Sequence, residues 1–250
     1  MDWLADPQIW IAFLTLVTLE LVLGVDNVIF ISILAGKLPA NQQQRARRTG
    51  LALAVISRII LLFSLSWIIG LTAPLFFVFE FEISGRDIIL FLGGLFLLGK
   101  ATNEIHQKLE GVEGHASAQI KPSFARVMLQ VILLDVVFSL DSVITAVGMV
   151  DQLSIMIAAV LVAAGGMIIS SGLIGDFVDR HPTIKMLALS FLLLIGFTLV
   201  VESLHQHIPK GYIYFAMGFS VFVEMLNLRL RKVRAPVKLH EPYVGETAET

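Results

Sequence analysis

Seven long apolar runs divide this chain of 250 residues, and they restrict its possible folds more than any other feature. They cover about 9–35, 49–72, 87–101, 125–150, 153–175, 184–203 and 211–229. A helix needs about 20 mostly apolar residues to cross the hydrocarbon core of a bilayer. Most of the runs reach that length, and the third reaches it only by continuing through the polar residues after Lys100. With 56% hydrophobic and 15% charged residues, the chain is too apolar for a soluble domain. Backbone groups inside a bilayer have no water to bond to and must be satisfied within the segment, which selects helices here. The expectation is an all-α, polytopic membrane protein with about seven transmembrane helices. All eight prolines fall at or outside the proposed ends, where a missing N–H disturbs no helical ladder. Before the third run, Ser84-x-x-Asp87 reads as a capping box.

The basic residues give the orientation. Fifteen of the 18 lysines and arginines lie after the first, third, fifth and seventh runs, among them Lys37, Arg45, Arg47, Arg48, Lys100, Arg180 and Lys185. The opposite loops hold Arg86 and Lys210, and Arg58 lies inside the second run. Because cytoplasmic loops carry the excess of basic residues, the N-terminus is expected outside and the C-terminus inside. The acidic N-terminal segment, with Asp2 and Asp6, does not look like a secretory signal, so residues 9–35 read as a retained span. A net charge of −2 gives no reason to expect nucleic acid as a partner. The absence of cysteine excludes disulfides, thiolate ligands and thiol nucleophiles.

Two of the runs carry acids where acids are expensive. A carboxylate at the centre of a membrane helix costs roughly 2.5–3.5 kcal/mol on insertion scales. Residues 19–31, LELVLGVDNVIFI, hold Glu20, Asp26 and Asn27, and residues 134–146, LDVVFSLDSVITA, hold Asp135, Asp141 and Ser142 with the same six-residue spacing. The third and sixth runs also rhyme, ending in Glu104 and His106 and in Glu202 and His205. Runs one to three and four to six therefore form two units of three crossings, and an odd number of crossings inverts the second unit in the membrane. The expected organisation is one transmembrane domain over 1–235, with repeat one about 9–105 and repeat two about 122–207. An additional helix follows at about 211–229, residues 102–123 link the repeats, and 236–250 form a polar tail.

Inverted three-helix repeats are characteristic of secondary transporters, whose sites lie near the midplane on discontinuous helices. A six-residue step turns a regular helix by about 600°, so Asp26 would point about 120° away from Glu20. Both acids would face one cavity only if the helix loosened near Gly24, and near Ser139 in the second copy, so a break or π-bulge is expected at each. Carboxylates, an amide and a hydroxyl suit a hard cation such as Mn²⁺, Mg²⁺ or Ca²⁺. Four carboxylates exceed the charge of one divalent ion, which makes Arg58 the expected counter-ion and coupling to H⁺ an expectation. Asp176 and Asp179 read as solvated residues at a helix end, and Glu202, His205 and His207 as a wet interfacial loop.

The motifs E-x-V-L-G-x-D-N-x-I-F and L-D-x-V-F-S-L-D-S-V-I-T-A-V-G, with ARR after the first run and IGDFVDRHP after the fifth, closely resemble the TerC family of integral membrane proteins. The resemblance covers about residues 8–230 and is greatest to short bacterial members. It implies a seven-span protein of the bacterial inner membrane, related to exporters of cations and small solutes, with members linked to Mn²⁺ efflux and to metal supply for exported enzymes. Matched by motif, Glu20, Asp26, Asn27, Asp135, Asp141 and Ser142 are the expected metal-site residues. The function expected is therefore a transporter of divalent cations, with Mn²⁺ as substrate, no enzyme activity and no organic cofactor. A non-transporting scaffold or metal-delivery partner is the competing class. An intramembrane aspartyl protease is the remote one, because its G-x-G-D motif is missing and the sequence reads G-V-D.

Overall fold

The computed structural model describes residues 7–64, 70, 72–78, 81–110, 123–147 and 152–230. It describes their side chains except at 22, 23, 25, 26, 40, 78, 81, 140–142 and 144–147. The main elements are α1 (Pro7–Ala35), α2 (Ala40–Phe63), a hairpin of β1 (Pro74–Val78) and β2 (Phe81–Ser84), α3 (Gly85–Leu109), α4 (Phe124–Val147), α5 (Leu153–Arg180), α6 (Pro182–Ser203) and α7 (Lys210–Leu230). Among the described residues, α3, α5, α6 and α7 are each long and apolar enough to cross a membrane.

Local chemistry sets several of these ends. Proline opens α1 and α6 at the position where its fixed φ and missing N–H are best tolerated. At the start of α3 both halves of the expected capping box form: the Ser84 hydroxyl accepts from the Asp87 backbone N–H, and the Asp87 carboxylate accepts from the Ser84 N–H.

Three features differ from the sequence reading. The chain is not wholly helical, because PLFFV and FEIS pair as an antiparallel hairpin between α2 and α3. Aromatic residues favour this extended pairing once the apolar run has ended. Next, α3 continues to Leu109, so 102–109 belong to a helix rather than to the expected linker. Its polar residues Glu104 and Lys108 are buried against the bundle, which supplies the packing that keeps the last turns helical. Finally, α1 runs as α-helix through Gly24 and α4 through Ser139, where a break or π-bulge is expected.

The reason lies in packing. A Cβ built on Gly24 would lie 2.1 Å from Met167 Sδ of α5, so the glycine is there to let α5 approach. Ser139 is fully buried and its hydroxyl accepts from Arg58 Nε at 3.0 Å, which gives its polar group a partner without unwinding the helix. Gly24→Leu should therefore cost about 1–3 kcal/mol, the range for overpacking a filled core. Met167→Ala in the same chain should recover much of that loss in thermal unfolding of detergent-solubilised protein.

The packing has a pattern that positions the site. α1 packs mainly on α5, α2 on α4 and α5, and α3 on α6. Exchanging α1 with α4, α2 with α5 and α3 with α6 turns the α1/α5 contact into the α4/α2 contact and returns α2/α5 and α3/α6 to themselves. The α3/α6 crossing is tight, since a Cβ on Gly94 would lie 2.7 Å from the Gly196 carbonyl oxygen. α7 stands outside this arrangement and buries only Met217.

Candidate functional site

Three helices supply one buried polar cluster. Glu20 and Asn27 come from α1, Ser57 and Arg58 from α2, and Asp135 and Ser139 from α4. Glu20 and Asn27 are 9% exposed, Arg58 5%, Asp135 3% and Ser139 0%. Asn27 returns to the face of Glu20 because seven residues make almost two full turns of a regular helix.

Arg58 is the centre of the cluster. Its Nη1 donates to Glu20 Oε2, and its Nε donates to Asp135 Oδ1 at 3.3 Å and to Ser139 Oγ at 3.0 Å. The other oxygen of Asp135 accepts from the Ser57 hydroxyl at 2.5 Å, and Asn27 Nδ2 donates to Oδ1 at 3.4 Å. Asp135 thus accepts from Arg58, Asn27 and Ser57 at its two oxygens, while the single guanidinium serves carboxylates from two different helices. Bonds between ionised groups are roughly twice as strong as neutral ones, so this bridge ties α1, α2 and α4 together at one depth.

Apolar layers lie on both sides. Toward one end, Leu16, Leu62, Val143, Ile155, Met156 and Val160 form a buried cluster. Toward the other, Val28, Ile31, Leu34, Leu38, Leu51 and Val131 form part of the largest core cluster. Arg58 borders two cavities of about 10 Å³ each, one also lined by Asn27, Asp135 and Ala164, the other by Glu20 and Ala159. Each is about the size of one water.

Of the sequence-derived site residues, Glu20, Asn27, Arg58, Asp135 and Ser139 are therefore brought together. Gly24 of α1 packs against Met167 of α5. Asp26, Asp141 and Ser142 fall within α1 and α4, and their side chains lie outside those described. Among the described residues, no group of three or more His, Asp or Glu side chains is assembled as a cation cage.

A family model described as "Integral membrane protein TerC family" matches residues 5–238. The chain belongs to the TerC family. Over 93% of its length the TerC chain is 58% identical to a UPF0053 protein of Haemophilus influenzae, covering 98% of that protein. It is 55% identical to the UPF0053 inner membrane protein YgdQ of Escherichia coli K12 over 94% of this chain and 98% of the relative. It is also 54% identical to the E. coli UPF0053 protein YegH, but spans only 43% of that longer protein. No solved structure matches the chain. This TerC chain is an integral protein of the bacterial inner membrane.

Further ion pairs in the TerC chain went unread in the sequence. Arg47 of the ARR motif is buried, with Nη1 donating to Asp176 at 3.2 Å and Nη2 to Asp179 at 2.6 Å, and Lys185 lies 3.1 Å from the other Asp179 oxygen. Asp176 is solvated as expected, whereas Asp179 is two-thirds covered and shared by two cations. Lys37 reaches the buried Glu104 at 2.5 Å. At the opposite end Arg86 donates to Glu202 at 2.8 Å, and His205, half-exposed, lies 3.5 Å from Asp87. Ser57 was also missed. Its place beside Arg58 in an otherwise apolar stretch was the available signal, because a hydroxyl there needs a partner as much as a charge does.

Proposed function

We propose that this TerC protein is a divalent-cation transporter, with Mn²⁺ as its exported substrate, working by alternating access around the α1/α2/α4 cluster. The observation that carries this reading is the convergence of Glu20 and Asp135 on one buried arginine. These acids sit at matching positions of the two motif copies, and structural acids need no such matched placement.

Three considerations support it. The helix exchange that preserves the packing pattern is what two units related by an axis in the membrane plane would produce, and transporters place their sites at such repeat interfaces. On this reading all seven helices cross the membrane, with the N-terminus outside and the C-terminus inside. The donor set is oxygen-rich and lacks sulfur, which favours a hard cation, and Mg²⁺ and Ca²⁺ are its competitors. Mn²⁺ is chosen over them on the family resemblance. Asp26 and Asp141 belong to the same motif copies and are proposed, with Ser142, as further ligands. The excess of acid over one divalent charge leaves room for H⁺ as the coupling ion.

The experiment is Mn²⁺ transport by purified protein in liposomes, compared metal by metal with Mg²⁺ and Ca²⁺. Asp135→Asn should lower transport at least roughly tenfold, since losing a ligand charge weakens metal binding by that order. Wild-type rates from Asp135→Asn would overturn the site. Wild-type protein that moves no divalent ion would overturn transport and favour the scaffold or metal-delivery class.

A further inference from the structure

We infer that Arg58 is a tethered substitute for the transported cation. It holds Glu20 and Asp135 when the carrier is empty, withdraws when a divalent cation takes their oxygens, and returns so that the empty carrier can reset. This rests on the transport reading above and adds the residue that determines how the unloaded carrier turns over.

The geometry supports the exchange. Arg58 bonds the carboxylates through two different nitrogens, Nη1 to Glu20 and Nε to Asp135, so its guanidinium fills the space a shared cation would need. A cation would compete with Arg58 for Asp135. Its Oδ1 already takes Arg58 and Asn27, and its Oδ2 takes Ser57. Removing Arg58 frees Glu20 Oε2 and one site on Asp135 Oδ1, and leaves the Ser57 and Ser139 hydroxyls and the Asn27 amide as neutral groups around the vacated space. The Ser139 oxygen can be a ligand once it no longer accepts from the guanidinium, the Ser57 oxygen keeps acceptor capacity while its proton goes to Asp135, and Asn27 can turn its carbonyl inward.

The chemistry of the side chain makes the role specific. A guanidinium remains charged at any physiological pH, so this counter-charge cannot be lost to water as a proton can. Two bare carboxylates in a water-poor site would each carry a penalty of several kcal/mol, which would hinder an empty carrier from passing through its occluded state. Arg58 removes that penalty without an external ion. The walls beside Arg58 are small, since it faces Ala54, Ala159 and Ala164 across the two cavities, so its withdrawal needs the helices to part rather than a large side chain to move. Arg58 belongs to α2, and its two partners to α1 and α4. Releasing the bridge therefore removes the ionic tie from α2 to both acid-bearing helices and leaves Ser57 as its polar contact with Asp135, linking cation binding to helix movement.

The test separates two transport modes in proteoliposomes. Wild-type protein should show both net Mn²⁺ flux and exchange of Mn²⁺ against labelled Mn²⁺. In Arg58→Gln, net flux should fall at least roughly tenfold while exchange persists within about threefold, because a cation always occupies the carrier during exchange. Calorimetric titration of the solubilised variant should show Mn²⁺ binding roughly tenfold tighter than wild type, since an internal competitor populated about ten to one weakens apparent affinity by that factor. Arg58→Lys, which keeps the charge, should restore part of the net flux. If Arg58→Gln does not fold, Arg58→Lys alone decides. It should then lower net flux more than exchange, because an ammonium bridges the two acids less well. Unchanged net flux, or equal loss of both modes with weaker Mn²⁺ binding, would overturn the inference. Wild-type protein inactive in both modes would instead overturn the transport reading.

Discussion

The double variant Glu20→Leu/Asp135→Leu should lose far more stability than its two single variants predict. In either single variant Arg58 keeps one carboxylate partner. The cost is then an unsatisfied donor or two, about 1–3 kcal/mol. The double variant strips Arg58 of both carboxylate partners and leaves it only the Ser139 hydroxyl among those described, and an uncompensated buried charge typically costs about 3–5 kcal/mol more. The asymmetry between acid and base strengthens the expectation. A stranded carboxylate can escape by taking up a proton, whereas arginine stays charged. Adding Arg58→Met should therefore recover most of the loss, giving a stable helix bundle with no transport. The measurement is unfolding in a mild detergent across the singles, the double and the triple. Additive singles and no rescue by Arg58→Met would show that the three side chains are not energetically one unit.

Those same residues show how far the sequence could be read. Acids are rare in apolar spans, so Glu20 and Asp135 were visible as soon as the spans were drawn, and Arg58 was the basic residue inside a span available to them. Their meeting was not visible in a propensity or a period, and it came from the repetition of one motif at two places. The expected helix breaks show where this logic stopped. It assumed that all the acids had to face one cavity and bent the helix to achieve it. Gly24, read as a hinge, is instead a contact made close by the lack of a Cβ, and only the position of Met167 reveals this. Asn27 needed no break, because the regular turn already brings it onto the face of Glu20. The hairpin between α2 and α3 was hidden for a different reason. It lies between the second and third apolar runs, in a stretch to which a reading of long apolar runs assigns no element.

The Arg47 ion-pair cluster was hidden because its partners are far apart in sequence, 129 and 132 residues from Arg47. It supports a second large effect. Asp179→Ala should cost about 2–4 kcal/mol, while Asp176→Ala should cost less than about 1 kcal/mol. Both aspartates touch Arg47, but their surroundings differ. Asp176 is 64% exposed and makes its bond at 3.2 Å, so water can replace it. Asp179 is 33% exposed, holds Arg47 at 2.6 Å, and also holds Lys185 at 3.1 Å. Arg47 itself cannot turn to solvent. Its guanidinium lies on the bare backbone at Gly175, where an added Cβ would come within 2.5 Å of Cζ, and its Nε has no hydrogen-bond partner among the described residues. With Asp179 gone, a buried guanidinium depends on one exposed carboxylate. Gly175→Val should push the same guanidinium off its seat and cost a comparable amount, and it should cost much less in an Arg47→Leu background where nothing is displaced. Unfolding midpoints for these variants give the ranking directly. Equal losses for Asp176→Ala and Asp179→Ala would mean that burial does not govern the strength of the pair, and that the start of α2 and the end of α5 are held together by their apolar contacts alone.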